Sequence, residues 1–313
     1  NKLINKEMRQ AISYAINYTY VIEELKDGNA ARMVSPIPEG IAYHKADTVP
    51  ADYDVTEARA ILIAAGLAQG LTAGSTDQEW IDLAASGTPV AAYGYQYNLG
   101  NVFREDLGIL VKANLEAIGI AVTMDGMEWS AYLTLLLGEF DGLELYMIGW
   151  GPDYNDPSNF INPLFSNTSM SNGAQVNDDW LQNAMMEALI TPNLTERRDL
   201  YYDIQTYIVE DLMPWVFLYV SLSRNVLSTS IENWYRNPMG QLDFFDITFN
   251  GVDRVYETGF DNQTNCGYEI VAVVVDPTDT DDTDDGPVIP GYSLVALIGI
   301  AAISVFTLIK RRK

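Results

Sequence analysis

Residues 102–127 run from a helical pattern into a strand pattern with almost nothing between them. Phe103, Leu107, Leu110, Val111 and Ile118 recur at helical spacing, Gly119 supplies a stop, and IAVTM then alternates as a strand. The same succession returns further on. A short helix over 129–137 is followed by an apolar strand, LELYMIGW, at 143–150. Helices over 178–190 and 195–212 then precede the strand WVFLYVSL. Alternation of this kind predicts an α/β lobe built on a largely parallel or mixed sheet.

Upstream, Met8, Ala11, Ile12, Ala15, Ile16, Ile22 and Leu25 predict one helix over 8–25, with Gly28 as its stop. Asp54 and Glu57 form a capping-box-like start for VTEARAILIAAG, and Gly66 is the exit. Residues 67–100, rich in Gly, Ala, Thr and Ser, predict loop with one strand, and 221–275 read as short strands and turns of a different lobe. No internal repeat is evident.

Composition excludes several function classes. A net charge of -25, from 43 acidic against 18 basic side chains, repels nucleic acid. One cysteine, Cys266, and one histidine, His44, exclude a disulfide framework and a Cys/His zinc site; no metal or cofactor is expected. His44 sits in the turn-rich SPIPEGIAYHK and reads as a loop histidine rather than a catalytic base.

The C-terminal end carries a separate signal. Residues 292–309, YSLVALIGIAAISVFTLI, lack charge, and as a helix they would rise about 27 Å, enough for a hydrocarbon core. KRRK at 310–313 predicts a cytoplasmic end, with all that precedes the span outside. The acidic run DPTDTDDTDDGPVIPG, 276–291, predicts a solvated stalk of up to roughly 50 Å; a calcium loop is the alternative, without the glycine and terminal glutamate of an EF-hand. The tail resembles archaeal surface-anchoring tails, with PGY in place of the more usual Pro-Gly-Phe. Sequons at Asn17, Asn167, Asn193 and Asn262 fit an external location. A chain that starts at Asn1 and enters a helix at once is expected to follow a further N-terminal portion.

The stretch GWGPDYNDPSNF, 149–160, stands out. It begins where a strand is predicted to end, and ligands of open α/β sheets settle at such ends. Gly149 and Gly151 let the backbone turn, Pro152 and Pro157 stiffen it, Trp150 and Tyr154 offer flat faces, and Asp153 offers a charge to an ammonium group. The competing reading is a rigid turn in which Asp153 or Asp156 caps the next helix, with Asp156 the better cap.

MRQAISYAINYTYVIEELKDGNA, SPIPEG, ARAILIAAGL, LEAIGIAVTMDGMEWSAYL, FDGLELYMIGWGPDYNDPSNF and RRDLYYDIQTYIVEDLMPWVFLY follow one another in this order. Together, over roughly residues 3–250, they resemble family 5 extracellular solute-binding proteins, the peptide-binding components of ABC importers. The resemblance implies a periplasmic-binding-protein-like α/β fold of type II, a two-lobed clamp. Here it would comprise mainly one lobe (1–220) and returning strands of the other (221–275), then the linker (276–291), the membrane helix (292–309) and the basic end (310–313). It implies that Asp153 pairs with the amino terminus of a peptide, with Trp150 beside it and Tyr154 and Asn159 nearby. It also implies permease subunits of the importer as partners, and a monomer is expected. Members are about 500 residues or longer, so this chain would carry only part of the cleft.

Other readings remain. The cargo is alternatively an oligosaccharide stacked on Trp150, Tyr154, Tyr93, Tyr95 and Tyr97, although YGYQY reads more simply as one face of a strand. A glycosidase would use Asp153 with Asp156, or Asp141 with Glu144, spacings common in any acidic chain. A purely structural surface protein would need the stalk and anchor but not the aromatic loop.

Overall fold

The computed structural model describes residues 5–138, 143–222, 227–228, 231–236, 242–243 and 247–249. The stalk, the apolar run, the basic end, Asp141, Asn262 and Cys266 lie outside these residues. No helix among the described residues is long and apolar enough to cross a membrane.

The first helix, α1 (Lys6–Ala15), is capped by Asn5, whose side chain accepts from the Met8 amide. The single helix expected over 8–25 is broken. Ile16 is extended, and Asn17 caps a second piece, α2 (Tyr18–Tyr20), which continues as a π-helical turn, Val21–Leu25. Ile16 and Tyr18 explain the break, because both are buried and an unbroken helix would send them to nearly opposite sides. A short strand, β1 (Ala30–Arg32), follows. Next, α3 (Val55–Ala64) begins at Asp54, whose carboxylate accepts from the Glu57 amide as expected, and leaves through Gly66 at φ 72°. The stretch read as loop contains a further helix, α4 (Asp77–Ala84), started by a reciprocal capping box between Thr76 and Glu79 and anchored by the fully buried Trp80.

The central strand is β2 (Ala91–Asn98). From it the chain crosses through α5 (Val102–Glu116) and Gly119, at φ 80°, to β3 (Ile120–Met127), which pairs parallel with β2 along its whole length. A Cβ on Gly119 would lie 2.9 Å from Val90, so the turn leaves no room for a side chain. The chain returns through α6 (Trp129–Leu137) to β4 (Leu145–Tyr146), parallel to β2 on its other side, through Tyr95 opposite Leu145 and Gln96 opposite Tyr146. The sheet order is therefore β3–β2–β4. The strand expected over 143–150 shortens to two paired residues, and its remainder opens into the loop.

Three helices complete this part: α7 (Ser158–Phe165), α8 (Asp179–Ile190) and α9 (Leu194–Thr206), the last prolonged by a π-helical stretch, Tyr207–Leu212. The strand expected in WVFLYVSL is confined to β5 (Tyr219–Ser221), antiparallel to β1. Beyond it β6 (Ile231–Glu232), β7 (Tyr235–Arg236), β8 (Leu242–Asp243) and β9 (Thr248–Phe249) pair antiparallel as β6–β9 and β7–β8.

Burial divides into two apolar clusters. One gathers Met8, Ile12, Leu62, Trp80, Tyr95, Leu115 and Ile120, joining the sheet to α1, α3, α4 and α5. The other gathers Ile37, Phe160, Phe165, Leu181, Tyr201 and Ile208, joining α7, α8 and α9. Tyr95 and Tyr97 belong to the first and are 2% and 6% exposed, so they serve the core and not a sugar-stacking face. Their packing needs Gly108: a Cβ there would fall 2.5 Å from the Tyr95 ring and from the Met124 methyl.

Candidate functional site

Strands β2, β3 and β4 are parallel, so the turns after Asn98, Met127 and Tyr146 share one edge of the sheet. The chain moves from β2 to β3 and then back to β4 on the far side, so the strand order reverses at the β2–β4 pair. Crevices at such reversals are the usual ligand positions of open α/β sheets. The loop 147–157 leaves β4 at this edge and enters α7, as the sequence expectation placed it.

Three of the predicted residues are held together here by a local device. Pro163 lies inside α7 and has no N–H, so it cannot bond the carbonyl four residues earlier, that of Asn159. The indole Nε1 of Trp150 donates to that carbonyl at 2.9 Å instead. The Asn159 side chain faces the loop as well: its Oδ1 accepts from the Asp153 amide at 2.9 Å, and its Nδ2 lies 3.5 Å from Asp153 Oδ2. Asn159 is 3% exposed, so it lies beneath the loop as its fastening and not on the open face. Trp150 and Tyr154 are 37% and 51% exposed, and Asp153 is exposed beside them. The Tyr154 hydroxyl lies 3.3 Å from Ser158 Oγ.

Asp156 does what its position before Pro157 suggests. Its Oδ1 accepts from the Ser158 amide at 2.9 Å, closing the first turn of α7. It also receives both ends of the Arg197 guanidinium, at 2.8 and 3.0 Å. Arg197 reaches across from α9, donates Nε to the Ala188 carbonyl, and lies over the rings of Tyr43 and Tyr201. Partial burial pushes the Asp156 carboxyl up, but the hydrogen bonds from Arg197 and Ser158 outweigh it and hold the group below the usual carboxylate range. That opposes a general acid at Asp156, which would need a raised value. Nothing in the sequence pointed to Arg197, 41 residues away from its partner.

Gly149 and Gly151 hold no φ that demands glycine, and a Cβ at either would meet nothing within 4 Å. The turn itself therefore does not require them, which corrects the expectation from sequence. His44 has its Nδ1 2.6 Å from the Ile37 carbonyl, a contact with its own loop. Among the described residues no cluster of His, Cys, Asp and Glu is placed to hold a metal ion.

Known proteins resemble the chain over most of this region. The profile of "Bacterial extracellular solute-binding proteins, family 5 Middle" matches residues 1–172. Heme-binding protein A of Haemophilus influenzae is 28% identical over 250 residues, covering 79% of this chain and 42% of that protein. The oligopeptide-binding protein AppA of Bacillus subtilis is 25% identical, covering 76% and 42%. The structure of DppA from Helicobacter pylori in complex with the peptide STSA superposes with a TM-score of 0.59 at 24% identity, over 80% of this chain and 45% of that one, which shows the shared periplasmic-binding-protein-like fold. The chain thus spans less than half the length of these relatives. With more than half of its residues matched and the β3–β2–β4 lobe in place, the chain belongs to family 5 of the bacterial extracellular solute-binding proteins.

Proposed function

We propose that this chain contributes one side of a peptide-capturing receptor for an ABC importer, with Asp153 receiving the free amino terminus of the peptide. The exposed carboxylate of Asp153 beside the fixed indole of Trp150, at the reversal of the strand order, is the observation that carries this reading. Relatives named for oligopeptide and dipeptide binding support the choice of cargo. The open space over Gly149 and Gly151 supports it as well, because it leaves the backbone accessible to an extended ligand. Permease subunits would be the partners of the receptor, a monomer. Residues 292–309 would tether it outside the cell.

A charged hydrogen bond from an ammonium group to Asp153 contributes roughly 1.5–3 kcal/mol, about tenfold or more in affinity. Calorimetry on the full chain with one peptide pool, either free or acetylated at the amino terminus, tests this. Binding confined to the free pool, and lost in Asp153→Asn, is the expected result; equal binding of both pools removes the role from Asp153. The exposed rings of Trp150 and Tyr154 also suit a sugar face, so oligosaccharides form the second set of ligands. Haem forms a third, because a relative carries that name. Loss of membrane association on deletion of 292–313 is the expected sign of the tether.

A further inference from the structure

Three of the four sequons fall on described residues, at Asn17, Asn167 and Asn193. Such a triplet accepts a glycan where a transferase can grasp the carboxamide together with the hydroxyl two positions on. The folded chain must also leave room for the product. At Asn17 the middle residue of the triplet, Tyr18, is buried in the cluster around the sheet, and the Asn17 side chain closes α2 by accepting from the Tyr20 amide. At Asn167 the carboxamide donates to Asn177 Oδ1 at 2.8 Å, and the half-buried Ser169 hydroxyl is held by the Pro163 carbonyl at 2.6 Å.

The third triplet is open throughout. Asn193, Leu194 and Thr195 are all exposed, where the short link after α8 enters α9. Among the described residues the Thr195 hydroxyl has no hydrogen-bond partner, and only its amide is engaged. Asn193 caps α9: its Oδ1 accepts from the Thr195 and Glu196 amides at 3.0 and 3.4 Å, and its Nδ2 donates to Glu196 Oε1 at 3.2 Å. Replacing one Nδ2 hydrogen by a sugar leaves Oδ1 untouched and a second hydrogen for Glu196. Cap and glycan are therefore compatible.

The surroundings add an independent observation. The last turn of α8 leaves Met186, Leu189 and Ile190 exposed, and Leu194 opens α9; Ile190 and Leu194 are 76% and 70% exposed. Four large apolar side chains at one hairpin tip are a liability for a lobe kept in water. Asn193 stands between Ile190 and Leu194 in the chain.

We infer that Asn193 is an N-glycosylation site and that its glycan shields this apolar tip. The co-reactant is an oligosaccharide carried on a polyprenyl phosphate or pyrophosphate. Nδ2 bonds to the anomeric carbon, the bond from that carbon to the phosphate oxygen breaks, the lipid-borne phosphate leaves with the electron pair, and Nδ2 releases one proton. The inference goes beyond the peptide reading and shares with it only the location outside the cell.

Mass spectrometry of the full chain, purified from the cells that naturally express it, tests the assignment. Cleavage before aspartate frees residues 156–177 and 179–198, each with one sequon. Fragment 179–198 is expected to carry a hexose-containing mass increment and 156–177 none. The increment should vanish in Asn193→Asp, which keeps a capping oxygen but has no amide, and in Thr195→Ala, which leaves Asn193 in place. Fragment 179–198 at its bare mass would overturn the inference, leave the apolar tip to a protein partner, and leave the peptide reading untouched. An increment on 156–177 alone, or one that survives either substitution, would overturn it as well.

Discussion

The indole Nε1 of Trp150 donates to the backbone carbonyl of Asn159, the acceptor that Pro163 leaves vacant inside α7. An aromatic residue that looks like a ligand platform is thus also a structural bolt. Trp150→Phe keeps a ring but leaves the carbonyl without its donor, an expected loss of about 1–3 kcal/mol. In a chain of this size that lowers the melting temperature by a few degrees, roughly 2–4 °C per kcal/mol. A thermal scan showing unchanged melting would mean that the bolt carries nothing.

Asn159→Leu is predicted to be worse placed than its volume suggests. The substitution keeps a side chain of similar size but removes the acceptor of the Asp153 amide. The expected cost is about 1–3 kcal/mol in denaturant unfolding. Faster amide exchange at Asp153 should accompany it, and an exchange rate equal to that of the parent chain would contradict the fastening role.

Asp156 makes the fold acid-sensitive. Its carboxyl sits below the usual range in the folded chain, so the folded state prefers the ionised form. The stabilisation is present above the unfolded value, about 3.9, and is lost as pH falls through the lower folded value. Urea midpoints measured from pH 6 down to pH 2 should therefore fall more steeply in the parent chain than in Asp156→Asn. Parallel curves would argue that the Arg197 pair contributes no pH-dependent stability.

Two glycine substitutions should part company. Gly108→Ala drives a methyl into the Tyr95 ring and the Met124 methyl, an overpacking expected to cost about 1–3 kcal/mol. Gly151→Ala meets open space and should stay within about 0.5 kcal/mol of the parent. On the proposed peptide reading it should nonetheless weaken binding. An unaltered affinity would show that the ligand does not approach this backbone.

Much of the lobe was legible because its signals are local. Asp54 with Glu57, and Gly119 before IAVTM, are signals that a few adjacent residues complete, and the structure carries them through. The α4 helix had an equally local signal, Thr76 with Glu79, but the Gly- and Ala-rich surroundings masked it. Ile16 defeated the helical pattern because two buried residues on opposite faces, Ile16 and Tyr18, require neighbours that only the folded chain supplies. The α7 helix entered the sequence reading only as the helix that Asp156 would cap; its extent was hidden by Pro163, whose open acceptor is met by a group outside the helix. For the loop, the residue types were readable but not their division of labour. Asn159 points inward, and Arg197 arrives from α9, contacts that no spacing in the sequence encodes.

The loop 147–157 has its two ends set in different materials. Leu145 packs with the cluster around the sheet, whereas Phe160 and Ile161 belong to the cluster of α7, α8 and α9. A segment clamped this way works as a strain gauge: a small slip of one cluster past the other is expected to change the separation of Trp150 from the end of β2 at Asn98. On the proposed reading, affinity for a solute would then be adjustable from either cluster without touching a contact residue, and substitutions deep beneath α8 become candidates for tuning it.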